Sequence, residues 1–225
     1  VGFRLGPGGL EPLTAGAQPL PGPGADPAQV GFTPDGSALV VTDRGTDSIV
    51  TFAVGPDGAL GPPQTVASSG PTPYGFAFAG RRTLVVTEAF GAEKGAAATS
   101  SYSVDGATLT PLSRSVGNGR SEICWAVVAP GGRCAFTTNF ADGGVSRYAI
   151  GEDGTITLDD DAAGLSVDGR PGLRDEALSS DGRLLYALDA DAGAIFGWAV
   201  GEGGTLSALG SWGRLPLTAA GLAAT

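Results

Sequence analysis

Apolar and polar positions alternate along this chain in short runs, each closed by a turn. The clearest example is residues 32–60, FTPDGSALVVTDRGTDSIVTFAVGPDGAL. A short apolar run leads to a Pro-Asp-Gly turn, then a β-branched run at 39–42, a polar corner, a run ending Phe52-x-Val54, and a second Pro-Asp-Gly turn. Period-2 alternation over stretches this short predicts strands rather than helices. Proline presets φ, aspartate bonds nearby backbone and glycine accepts positive φ, so each Pro-Asp-Gly reverses the chain. The predicted unit is a β-meander.

The unit recurs. Its second turn returns with Gly9, Gly58, Gly106, Gly154 and Gly204, a period of roughly 50 residues that falls in the repeat-array range. Before each turn stands an aromatic, a spacer and an aliphatic: Phe3/Leu5, Phe52/Val54, Tyr102/Val104, Tyr148/Ile150 and Trp198/Val200. An aliphatic follows each turn, at Leu10, Leu60, Leu109, Ile156 and Leu206. The first turn recurs at Pro34-Asp35-Gly36, Ala79-Gly80-Arg81, Pro130-Gly131-Gly132 and Ser180-Asp181-Gly182. A four-stranded meander cannot bury both faces alone, whereas copies stacked around an axis cover one another. The expected fold is an all-β propeller of four-stranded antiparallel blades, with the strand carrying Gly31, Phe76, Val127 and Ala177 innermost.

The layout is expected to be one domain over 1–225, with complete blades at 28–69, 71–116, 122–168 and 172–216. Residues 1–18 match only the third and fourth strands of a blade, and the tail LTAAGLAAT at 217–225 resembles a first strand. Together they predict an incomplete composite blade lacking its second strand, which sequence preceding Val1 would supply. A chain with no methionine does not start at a translation start, so it is read as processed, trimmed or a fragment. An open arc with exposed edges is expected to self-associate.

Composition refines this picture at a few points. The 39 glycines and 16 prolines suit a chain dense in turns. A formal charge of −10 argues against nucleic acid or an anionic membrane as partner. No stretch is apolar enough to span a bilayer. The compartment stays open, with a secreted or periplasmic setting favoured over the cytoplasm. Cys124 and Cys134 flank one turn and should be offset by about 17 Å along the ladder at 3.4 Å per residue. A disulfide needs Cα atoms within about 7 Å, so two separate thiols are expected.

Several segments carry a family likeness. Val40-Val41-Thr42-Asp43, Val85-Val86-Thr87-Glu88 and Phe136-Thr137-Thr138-Asn139 resemble the Tyr-Val-Thr-Asn propeller repeat. PTPYGFAF (71–78), VVTEAFG (85–91), CWAVVAPGGRCAFTTN (124–139) and ALSSDGRLLYAL (177–188) are similar to the bacterial lactonase-family propellers. That family is seven-bladed and includes 6-phosphogluconolactonase-like and 3-carboxymuconate-cyclase-like enzymes. The resemblance covers nearly all of this chain but about two thirds of such a ring. It implies a small lactone or organic acid as ligand. The muconate-lactonising members use a histidine with arginine and carboxylate partners, and this chain has no histidine at all.

That absence excludes a Ser-His-Asp triad, a Cys-His pair and an HExxH zinc site. What remains is carboxylate and guanidinium chemistry without a cofactor. The acidic runs Asp159-Asp160-Asp161 and Asp189-x-Asp191-x-Gly193 lack the full calcium-loop pattern, so no metal is expected. Two places concentrate candidates. The corner after the second strand holds Asp43, Glu88, Asn139 and Asp189, side chains suited to accepting loop N–H bonds. Glu88, longer than its equivalents and followed by an insert, is also a candidate acid or base. The start of the first strand aligns Gln29, Tyr74, Trp125 and Asp175, flanked by Arg174 and Glu176. Alternation points Arg174 and Glu176 to one face and Asp175 to the other. Glu176 falls in a row read as Val30, Gly75 and Ala126, where a charge is either functional or a cost. The candidate catalytic residues are therefore Glu88, Arg174 and Asp175. Candidate ligand-binding residues are Arg44, Tyr74, Arg120, Glu122, Trp125 and Glu176. The expected activity is hydrolysis or formation of a sugar-acid or dicarboxylic lactone. The alternative is a non-catalytic propeller that binds a ligand or protein.

Overall fold

The computed structural model describes residues 2–13, 17–167 and 169–225, so the expected blade limits at Val1 and Asp168 lie outside the described residues. A hairpin of β1 (Phe3–Gly6) and β2 (Gly9–Pro12) comes first. Four four-stranded sheets follow. The first holds β3 (Pro27–Phe32), β4 (Ala38–Asp43), β5 (Ser48–Ala53) and β6 (Gln64–Ala67). The second holds β7 (Pro73–Ala79), β8 (Thr83–Glu88), β9 (Ala98–Asp105) and β10 (Thr108–Gly117). The third holds β11 (Ile123–Val128), β12 (Cys134–Asn139), β13 (Gly144–Ile150) and β14 (Ile156–Leu165). The fourth holds β15 (Leu173–Leu178), β16 (Leu184–Asp189), β17 (Ala194–Val200) and β18 (Leu206–Gly213). Strand order follows the chain and neighbours run antiparallel, as in propeller blades. The helical pieces among the described residues are two short 3₁₀ turns, Phe90–Ala92 and Glu202–Gly204. Among the described residues no helix is long and apolar enough to cross a membrane.

The core is a series of seams between blades. Val40 and Ile49 of the first sheet meet Phe76, Leu84 and Val86 of the second. Val85 meets Ala135 and Tyr148 of the third, and Phe136 and Val145 meet Leu173, Leu185 and Trp198 of the fourth. The recurrent aromatic of the third strand reaches back across a seam. Tyr148 donates to the carbonyl of Val116 at 3.0 Å, and the hydroxyl of Tyr102 accepts from the Ser69 N–H at 2.8 Å. Trp198 packs so closely on Gly164 that a Cβ there would stand 3.0 Å from the indole.

The threonine of the second strand ties both its own blade and the next. Thr42, Thr87 and Thr138 accept from the first-strand N–H groups of Gln29, Gly75 and Trp125. Thr42 and Thr87 also donate to the carbonyls of Tyr74 and Cys124 in the following blade. These bonds correct one sequence alignment. Gly75, not Tyr74, is the equivalent of Gln29, Trp125 and Asp175. Cross-strand register agrees, pairing Phe76 with Val86, Ala126 with Thr137 and Glu176 with Ala187. The row of Glu176 is therefore Val30, Phe76 and Ala126, and Ala77, not Phe76, matches Gly31. The turn joining β7 to β8 is one residue shorter than its equivalents, since Ala77 pairs with Val85 eight residues on while Gly31, Val127 and Ala177 pair with Val40, Phe136 and Tyr186 nine residues on, and counting back from that turn shifted the row by one.

The ends are less regular. Val30 and Phe32 are 62% and 60% exposed, so no blade packs on that face of the first sheet. The hairpin lies against the outer turn of the same sheet, with Arg4 donating to the Asp57 carbonyl, and in the segment after it Gln18 donates to that of Leu60. The tail expected to form a strand forms none. It still lies where a first strand would begin: the Leu222 N–H donates to Asp175 at 2.7 Å, as the Phe76 N–H donates to Gln29 at 2.7 Å. A strand needs a ladder partner, and among the described residues the tail and the β1–β2 hairpin are not paired with each other.

Candidate functional site

Three repeating rows converge at one end of the blades. The N–H of the residue after each corner donates two positions before the Tyr74 row: Arg44 to Asp26, Ala89 to Thr72, Phe140 to Glu122 and Ala190 to Gly172. The rows are thus Asp26, Thr72, Glu122 and Gly172; Ala28, Tyr74, Cys124 and Arg174; and Arg44, Ala89, Phe140 and Ala190. Members of all three line a groove of about 440 Å³, among them Arg44, Thr72, Tyr74, Glu122, Cys124, Phe140 and Arg174. Thr72 and Glu122 hold positive φ, 58° and 53°, an uncommon backbone state for residues with a side chain.

Four of the sequence candidates meet here: Arg44, Tyr74, Glu122 and Arg174. Arg44 bonds Asp26 at 2.8 Å and lies over the Tyr74 ring at 5.6 Å. Arg174 lies over the Phe140 ring at 5.5 Å. Neither the guanidinium of Arg174 nor the carboxylate of Glu122 has a hydrogen bond or ionic partner among the described residues. The groove therefore holds one uncommitted cation and one uncommitted carboxylate. An arginine on an aromatic face keeps its fork free for a planar anion. The thiol of Cys124 is pushed up to about 12 by burial and then by the Glu122 charge, so it lines the groove as a neutral group.

The other candidates lie elsewhere. Glu88 is fully buried and does not line the groove. Its carboxylate accepts from Ser68, Gly70 N–H, Ser100 and Ser115 at 2.7–3.2 Å, which ties β8 to β9, to β10 and to the segment that leaves β6. Asn139 and Asp189 likewise bond loop groups, and Asp43 accepts from the Asp26 and Gly45 N–H groups. Arg120 pairs with Asp161 at 2.7 Å. Trp125 stands behind the groove, edge-on to Tyr74 with ring centres 5.3 Å apart. Asp175 holds the tail. Glu176 is buried, and neither of its oxygens finds a partner among the described residues. Both Cys124 and Cys134 are free thiols.

Phe140 was missed by sequence reasoning. Its signal is positional: it occupies the same repeat position as Arg44, one residue past the corner.

A family model described as Lactonase, 7-bladed beta-propeller matches residues 12–89. No curated protein matches the sequence. Among solved structures, a Bacteroides uniformis protein provisionally named a 6-phosphogluconolactonase superposes with a TM-score of 0.73 at 18% identity, over 96% of this chain and 65% of its own. A Lactobacillus plantarum protein gives 0.72 at 18% identity, over 95% and 64%. A Pseudomonas aeruginosa periplasmic gluconolactonase gives 0.66 at 18% identity, over 85% and 55%. This chain spans just under two thirds of the length of the first two. The chain thus has the β-propeller fold of these structures, and its residues 12–89 match the lactonase family model.

Proposed function

We propose that the groove binds a small organic acid and its lactone, and that the chain catalyses lactone hydrolysis there. The observation that carries this reading is the pairing of two uncommitted opposite charges, Arg174 and Glu122, in one groove built from several blades. Arg174 takes the role of polarising the lactone carbonyl, since a fixed guanidinium stabilises the oxyanion that forms there. Glu122 takes the role of general base. Water adds to the carbonyl carbon while its proton passes to the Glu122 carboxylate; the C–O bond of the ring then breaks, and the ring oxygen takes up the proton. The product is a hydroxy acid. Arg44, held by Asp26 and the Tyr74 face, is suited to a second polar group of the ligand. The scheme needs no cofactor. A periplasmic or secreted setting belongs to the proposal, supported by the periplasmic neighbour.

The test is pH-stat hydrolysis of glucono-δ-lactone, 6-phosphogluconolactone and a dicarboxylic lactone, with calorimetry of the product acids. Arg174→Ala and Glu122→Gln are each expected to lower the rate by roughly a hundredfold, the usual size for such groups. Chelator should leave it unchanged. The reading fails if the wild type neither exceeds the spontaneous rate nor binds an acid. Acid binding that depends on Arg174 without turnover would instead make the chain a ligand-binding scaffold. The lack of any histidine favours that second reading.

A further inference from the structure

Glu176 is the one acidic side chain among the described residues whose two carboxyl oxygens are both buried without a partner. Register gives it the place of Phe76, whose ring fills the seam between the first two sheets against Val40 and Ile49. The corresponding seam lies between the third and fourth sheets, where apolar Val127, Leu173 and Ala187 pack. Other blades place Val30, Phe76 and Ala126 in this row, so a carboxyl here departs from the repeat. The two strands that meet across the seam, β11 and β15, also each contribute a lining residue to the groove: Cys124 on β11 and Arg174 on β15.

We infer that Glu176 is a positioning residue, a latch that keeps the third and fourth blades closed while it carries its proton and loosens the groove when it gives the proton up. This rests on the proposed groove as the ligand site and adds its regulation. A protonated carboxyl in an apolar seam lacks only a hydrogen-bond partner, whereas a carboxylate there lacks both solvent and a counter-charge. The ionisable groups around it offer no relief. Asp175 beside it on β15 is another carboxylate, and β11 contributes Cys124, whose thiol feels the Glu176 charge. Glu122 and Arg174 stand at the groove rim, and β12 and β16 contribute Cys134, Tyr186 and Asp189. Burial, and then Asp175, push the Glu176 carboxyl well above the ordinary range. Ionisation therefore drives the side chain toward water, and β15 must part from β11 to let it out.

The experiment follows thermal unfolding and calorimetric binding of D-gluconate from pH 5 to 8.5, for wild type, Glu176→Gln and Glu176→Leu. Gluconate keeps its charge above about pH 5, so its binding reports the protein. Wild type should lose melting temperature as pH rises and bind gluconate at least tenfold more weakly at the alkaline end. Both variants should be flatter in pH and melt higher than wild type at pH 8. Infrared spectra should also show a protonated-carboxyl band in wild type at neutral pH that Glu176→Gln removes. Variants that follow the wild-type pH profile, or absence of that band, would overturn the latch. If wild type binds no gluconate at any pH, the groove proposal loses its support, while the melting profile and infrared band still decide the latch.

Discussion

At the scale of single residues, Glu88 shows how a conspicuous side chain can be structural. It is longer than Asp43, Asn139 and Asp189 and precedes an insert, features that suggest a pocket acid. Its length instead lets one carboxylate reach Ser68, Ser100 and Ser115 on three different segments as well as the Gly70 N–H. Removing a buried acceptor strands its donors, each at about 1–3 kcal/mol. Glu88→Ala is therefore expected to lose at least about 3 kcal/mol of unfolding free energy in urea titration, and a loss under about 1 kcal/mol would contradict this role. The cysteines make a second residue-scale prediction. Burial raises Cys124 to about 12 and Cys134 to about 11, so neither thiol should react with iodoacetamide at pH 8 until denaturant is added. Rapid native-state labelling of Cys124 would refute it.

At the scale of elements, the blade motif has a mechanical content. The threonine after two β-branched residues bonds its own first strand and, in the first two blades, the next blade's backbone. Gln29 adds a bidentate clamp, accepting from Phe76 N–H and donating to its carbonyl. Thr87→Val and Gln29→Ala should each cost about 1–3 kcal/mol by urea titration, the scale of buried hydrogen bonds left half-made. The turns and the fourth-blade seam set opposite pH trends. Asp35 is held at about 2 by the Ser37 N–H and by the Ser37 and Thr33 hydroxyls. Asp181 is held low by Ser179 and Arg183. A lowered acid contributes stability above its unfolded value, near pH 4, and loses it as pH falls toward the folded value. Glu176 is raised, so its contribution is fullest below about pH 4.5 and fades as pH rises through its folded value. Because the turn aspartates are exposed, their effect is small. The melting temperature should peak near pH 4 to 5 rather than at neutrality, as differential scanning calorimetry would show.

For the whole molecule, the decisive feature is the unpaired face of the first sheet. Val30 and Phe32 stand more than half exposed there, and Leu209 and Trp212 are about half exposed on β18 at the other end. Apolar surface of this kind favours association. Light scattering is expected to show assembly beyond the monomer at tens of micromolar. A Val30→Asp/Phe32→Asp double variant should shift it toward monomer, and a wild type that stays monomeric would count against the exposed face as an interface.

The sequence by itself determined the meander, its period and the four stacked blades, because strand period, turn chemistry and an aromatic at a fixed offset are all local signals. It also placed Arg44, Tyr74, Glu122 and Arg174 among the candidates, since repeat position marks the ends of strands. Tertiary structure decided which candidates meet. A β7–β8 turn one residue shorter than its equivalents put Gly75 in the row of Gln29 and left Tyr74 one place earlier, in the groove. Alternation predicts only which face a side chain takes, so it could not tell that Arg174, Asp175 and Glu176 have three separate surroundings. Arg174 faces the groove, Asp175 holds the tail and Glu176 fills a seam, and those surroundings come from neighbouring blades and the tail, dozens of residues away in sequence.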